Sequence, residues 1–152
     1  MNTNDIIRIP NINNYTQEII DNVLILIPIY NYISYEELLL KTLTHSRIIN
    51  CIVKDNDDEI ICNSPKSYFK ILIDIYKSLS ASFILQNTTF NIKLTNENGN
   101  KGYNFYPDIN LSIQLKDADG TIKEIINMCK LNNYKLDIDI KLQSGKIINY
   151  SI

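Results

Sequence analysis

Apolar residues in this chain recur at two spacings, and the two alternate along its last third. Ile109, Leu111, Ile113 and Leu115 alternate with Asn110, Ser112, Gln114 and Lys116, and Leu136, Ile138, Ile140 and Leu142 alternate with Asp137, Asp139 and Lys141. A period of two is that of a strand with one buried face. Between these runs, Ile122, Ile125, Ile126 and Cys129 keep the i, i+3, i+4, i+7 spacing of a helix face. Thr121-x-x-Glu124 reads as the capping box that opens this helix, and Asn132-Asn133 as its stop. Gln143 to Lys146 then turns the chain back into a closing strand, Ile147 to Ile152.

Earlier segments follow the same grammar less regularly. Residues 1–22 are Asn-rich and polar, with a weak helical patch at Thr16 to Asp21, and predict an N-terminal arm; residues 23–152 predict a single domain. Val23 to Ile29 is a continuous apolar run of strand length, which predicts a buried strand with a bend or an edge at Pro28. Ser34-x-x-Glu37 is a capping box that predicts a helix from Tyr35 to about Ser46. The β-rich runs Ile48 to Val53 and Glu59 to Cys62 flank the polar loop Asp55 to Asp58 and predict a hairpin. Asn63-Ser64-Pro65 predicts a helix start, and Phe69, Leu72, Ile73, Tyr76 and Leu79 give that helix one apolar stripe to about Ser80. Phe90, Ile92 and Leu94 predict a strand, Asn98-Gly99 a turn, and the residues up to Pro107 a Tyr-rich loop.

From residue 48 onward the order is β(β)-α-β-β-α-β-β. It predicts an α+β fold with a mostly antiparallel sheet and helices on one face. Without the extra hairpin strands it is the ferredoxin-like split βαβ pattern, preceded here by a strand–helix extension.

Composition narrows the function. Ile makes up roughly one residue in five and Asn roughly one in seven, and Lys far outnumbers Arg. These are residues of A/T-rich codons, so an Asn or Lys at any one position is weak evidence for chemistry. A net charge of −2 and only two arginines, Arg8 and Arg47, argue against a general nucleic-acid coat. Three cysteines without a C-x-x-C predict neither a disulfide framework nor a zinc ribbon. The first residues do not read as a signal peptide, and the longest apolar run is too short to cross a bilayer. The expectation is a soluble protein of a reducing compartment, in a virion or the cytoplasm, with no membrane partner and no cofactor.

Four constellations have residue types that could carry chemistry. Asp117-Ala-Asp119-Gly120-Thr121 follows an apolar strand and resembles the first motif of haloacid-dehalogenase-type phosphatases. That resemblance would make Asp117 a nucleophile beside magnesium and Asp119 an acid/base. Lys116 interrupts the apolar lead-in, and too little chain follows for the remaining motifs of that family. The segment therefore reads as a strand-to-helix turn in which Asp119 or Thr121 caps the helix. Asp55 to Glu59 lacks the Gly and Glu that a calcium loop needs at its sixth and twelfth positions. Cys51 would lie opposite Cys62 if Val53 paired with Ile60, in reach of a bridge or a shared metal with His45 and Cys129; the spacings are not those of a zinc site, and buried free thiols are the expectation. Lys66, Lys70 and Lys77 on one helix, with Tyr103, Phe105 and Tyr106, form the candidate interaction surface, with rings to stack bases and cations to meet phosphate.

No catalytic or metal set emerges, so the leading expectation is a non-enzymatic structural or protein–protein interaction subunit. Its partners would be proteins in a homo- or hetero-oligomeric assembly, and the codon signature suggests a virus or phage particle. The alternatives are an RNA- or single-strand-binding accessory domain and a small acidic inhibitor or immunity-type protein.

Overall fold

The computed structural model describes residues 15–28, 30–63 and 66–152. The chain is α+β, with four helices and ten strands among the described residues. It opens with a hairpin, β1 (Tyr15–Ile20) paired antiparallel to β2 (Val23–Pro28). Asp21 and Asn22 form its two-residue turn, with φ of 50° and 63°. Both residues thus take the left-handed conformation that a type I′ turn requires and that Asp and Asn tolerate. The helical patch expected at Thr16 to Asp21 is therefore a strand, and Val23, Leu24 and Ile25, expected in a buried strand, are exposed. An isolated turn of helix cannot nucleate in so short a window, whereas a tight turn lets each strand satisfy the other. Residues 1–14 of the expected arm lie outside the described residues.

Next come β3 (Tyr30–Tyr32) and α1 (Tyr35–Leu39). The capping box is present: the Ser34 hydroxyl accepts from the Glu37 amide at 3.1 Å, and the Glu37 carboxylate accepts from the Ser34 amide at 3.4 Å. The helix stops at Leu40 instead of near Ser46. Leu43 turns into the core, its amide bound by Asp119 at 3.1 Å, and His45 adopts a positive φ of 59°.

A second hairpin, β4 (Arg47–Lys54) and β5 (Ile60–Asn63), forms as expected around the acidic tip. Helix α2 (Tyr68–Lys77) starts later than Asn63-Ser64-Pro65 implied, because Ser67 is its cap; Ser64 and Pro65 lie outside the described residues. It also ends sooner, and Ser80 caps a separate helix, α3 (Ala81–Asn87), that the periodicity had merged into the preceding one. The closely spaced serines at 78, 80 and 82 favour caps over helix continuation. Three short strands follow: β6 (Ile92–Lys93), β7 (Tyr103–Tyr106) and β8 (Leu111–Gln114). The Tyr-rich segment is thus a strand and not a loop. The chain ends with α4 (Ala118–Asn132), β9 (Lys135–Lys141) and β10 (Ile147–Ser151), close to the expected bounds. Asn133, at φ 55°, stops α4 as a left-handed cap.

The strands form three sheets: β1-β2, β3-β10-β9-β4-β5, and β6-β8-β7. Every described pairing is antiparallel except β3 with β10. The ferredoxin-like arrangement is not found. It needs the strands between the two helices in the same sheet as the others, but β6, β7 and β8 form a sheet of their own. Helices α2 and α4 pack on one face of the five-stranded sheet, where Val53, Ile138, Ile140 and Ile148 meet Ile71, Ile75 and Ile125 in one core. The opposite face is polar. On it Asn149 donates its amide to Asp137 and Asp139, both at 2.7 Å, as the β9–β10 register dictates.

One charged group lies at the centre. Glu124 of α4 is fully buried. Its Oε1 accepts from the Tyr76 hydroxyl at 2.8 Å and the Thr88 hydroxyl at 2.6 Å. Its Oε2 accepts from the Thr89 amide at 3.1 Å and the Thr89 hydroxyl at 2.7 Å. Glu124 therefore does not serve the expected Thr121 capping box; the cap of α4 is Asp117, and Thr121 donates its hydroxyl to the Asp117 carbonyl at 2.7 Å. A buried carboxylate without a cation is tolerated only when its acceptor sites are filled, and here α2 and the segment after α3 fill them.

Replacing Glu124 with Gln should set an N–H against the Thr89 or Tyr76–Thr88 donors and destabilise by at least about 2 kcal/mol. Glu124→Ala should cost at least about 3 kcal/mol, a fall of roughly 6 to 12 °C in midpoint for a domain of this size. Urea titration and calorimetry measure both, and unchanged stability in Glu124→Ala would refute the linking role.

Candidate functional site

Helix α2 and the start of β4 flank an open groove of about 470 Å³ lined by Ser46, Arg47, Ile48, Lys66, Ser67, Tyr68 and Lys70. Three cations line it, Arg47 from the start of β4 and Lys66 and Lys70 from around the start of α2. One is already engaged, since Lys66 Nζ lies 2.5 Å from Asp74 Oδ2, while Lys70 is exposed. Tyr68 is buried, and its hydroxyl lies 2.6 Å from that of Ser46.

The other expected surface residues lie elsewhere. Lys77 sits at the far end of α2, 3.0 Å from Asp108 and 3.9 Å from Asp74. Tyr106 packs its ring 5.1 Å from that of Phe69, and Lys93 covers the Tyr103 ring at 5.0 Å. Phe105 is half-buried. The structure thus joins Lys66 and Lys70 with Arg47, a residue the helical spacing could not supply, and ties Lys77 and Tyr106 into the contact between α2 and β7.

Asp117, the first residue of the segment that resembles a phosphatase motif, accepts the Gly120 amide at 2.7 Å and caps α4. The cap is thus Asp117, and not Asp119 or Thr121 as the motif's spacing predicts. Asp119 instead accepts the Leu43 amide and holds the turn after α1 in place. Both carboxylates are thereby used to anchor backbone.

The cysteines are free and buried. Cys62 faces Val53 and Ile60 faces Lys54, with a bulge between Val53 and Lys54, so Cys51 is diagonal to Cys62 and not opposite it. The contact with Cys62, together with burial, holds the Cys51 thiol far above its ordinary range. Burial alone pushes Cys129 up to about 12. His45 is exposed on the loop before β4. Among the described residues no three His, Cys, Asp or Glu side chains are grouped so as to hold a metal ion.

The feature that sequence reading missed is the surface of the β1–β2 hairpin. Ile19 and Leu24 face each other on one side of it, and Ile20 and Val23 on the other. All four are exposed, Ile19 by 75%. The hairpin therefore presents large apolar side chains on both faces next to its turn. No helix among the described residues is long and apolar enough to cross a membrane.

No protein-family model matches the chain, and neither a curated protein nor a solved structure matches it at a significant level.

Burial also raises the phenols of Tyr68 and Tyr76. These groups and Cys129 stay protonated in the fold to higher pH than in the unfolded chain, where Cys titrates near about 8.5 and Tyr near about 10. A raised folded value means stability that is complete below those unfolded values and is lost as pH climbs toward the folded ones. Stability should therefore begin to fall above about pH 8.5, and Cys129→Val should remove up to one proton from the slope, about 1.4 kcal/mol per pH unit. Urea titrations of both proteins between pH 7 and 10.5 check this, and identical slopes would contradict it.

Proposed function

We infer that the chain is a non-enzymatic protein–protein interaction subunit of a larger assembly, with the β1–β2 hairpin as its contact element. The exposed apolar hairpin carries this reading. Isolated two-stranded sheets are marginal in water, and contiguous exposed apolar patches on proteins mark interaction surfaces. The remainder of the chain supports a scaffold. Residues with catalytic potential serve the fold: Asp117 caps a helix, Asp119 binds a backbone amide, and Glu124 joins two helices. The A/T-rich codon signature extends the reading to a virus or phage particle component.

A second reading has one observation in its favour. The groove of Arg47, Lys66 and Lys70 gathers cations at a helix N-terminus, where phosphate groups bind. Single-stranded nucleic acid would be its ligand. Lys66 is neutralised by Asp74 and the Tyr106 ring is occupied by Phe69, so the assembly reading has the stronger support.

The test compares the wild-type chain with Ile20→Lys/Leu24→Lys, which charges both hairpin faces. Sedimentation velocity and affinity capture from the native source should find a stoichiometric partner, whether self or other, that the double variant loses. A wild-type chain that stays monomeric and captures nothing in stoichiometric amount would overturn the reading. Labelled single strands that bind the wild type but not Arg47→Ala/Lys70→Ala would favour the nucleic-acid reading instead.

A further inference from the structure

The geometry points to a second copy of this chain as the hairpin's partner, paired through the free edge of β2 across a two-fold axis at Ile25. This rests on the interaction role of the hairpin and names the partner.

The backbone of β2 sets the register. The pair Ile20↔Val23 flanks a two-residue turn and turns its N–H and C=O groups toward each other. Along β2, the groups of Val23 and Ile25 therefore point to β1, and those of Leu24 and Leu26 point away. No other strand among the described residues pairs with β2. Its outer edge thus offers an N–H and a C=O at each of two leucines, spaced symmetrically about Ile25.

The side chains match the same symmetry. Val23-Leu-Ile-Leu-Ile27 reads almost identically in both directions. An antiparallel copy rotated about Ile25 sets Leu24 against Leu26 of its mate, Ile25 against Ile25, and Val23 against position 27. The two leucine pairs then exchange four hydrogen bonds. Pro28, which has no N–H to give, falls opposite the turn, where the ladder has already ended. β2 has no charge to repel its copy, and the one charge on the hairpin strands, Glu18, lies on β1. Proteins protect exposed edges with charges, bulges or short length, yet β2 has six residues, none of them charged, and a regular register with β1. Its edge is built to be paired. Pairing across the axis sets Leu24 and Ile25 of each copy beside Leu26 and Ile25 of the other and continues the two hairpins as one four-stranded sheet. A self-complementary patch closes at two copies.

Sedimentation equilibrium of the full chain should show a dimer. Under mild oxidation by oxidised glutathione, Ile25→Cys should form a covalent dimer, since residues directly opposite in such a pair lie within disulfide reach. Glu18→Cys, on β1, should not, and the native cysteines are buried and silent. Leu26→Pro deletes an outward N–H without touching the β1–β2 ladder; it should weaken the dimer at least tenfold while the melting midpoint of the body is retained. The inference is overturned if the wild type is monomeric at hundreds of micromolar, or if Glu18→Cys cross-links and Ile25→Cys does not. A monomeric chain whose hairpin captures a different protein would also overturn it and leave the interaction role standing.

Discussion

The buried carboxylate of Glu124 is the constraint around which the body of this protein is arranged. Its four donors come from α2 and from the two threonines that follow α3, while Glu124 itself belongs to α4. Desolvating a carboxylate costs several kcal/mol, so the site is stable only when all three segments hold their places together. Thr88 extends the constraint, since its hydroxyl also lies 3.1 Å from that of Tyr76 and accepts the Phe90 amide at 2.9 Å. The polar cluster thereby fixes where α3 ends and where the chain turns toward the small sheet.

The body and the hairpin solve opposite problems. In the body, polar side chains that a sequence scan flags as chemistry are spent on geometry, at the cap of α4, the turn after α1 and the centre of the core. In the hairpin, large apolar side chains meet solvent, and among the described residues no strand pairs with the outer edge of β2. A chain that satisfies nearly every buried polar group in one region and leaves isoleucines exposed in another is suited to be completed by a protein.

The strongly periodic elements were legible before the structure. β9, β10 and α4 lie almost where the two spacings put them, because a strand with one wet face and a helix with one dry face each write their period into the chain. Glu124 was misread for a physical reason. Thr121-x-x-Glu124 has the letters of a capping box, and only the true cap at Asp117 reveals that Glu124 sits well inside the helix. Thr121, Glu124 and Met128 form a second buried stripe, which marks α4 as buried on more than one side. The hairpin was legible in part: Asp21-Asn22 between two apolar pairs is turn chemistry, but exposure is a tertiary property that a run of isoleucine and leucine cannot declare. The ferredoxin-like topology failed at the same level, since strand order depends on which sheet β6, β7 and β8 join.

The most direct test of this account is native-state hydrogen exchange followed by mass spectrometry at low and high protein concentration. Peptides from β4, β9 and β10 should be protected to the same degree at both, since the body is complete within one chain. If a second copy is their partner, as proposed, peptides covering residues 15–28 should exchange fast when dilute and slow by at least tenfold when concentrated. Strong, concentration-independent protection of the hairpin in a monomeric chain would contradict the division between a self-sufficient body and a hairpin that another protein completes.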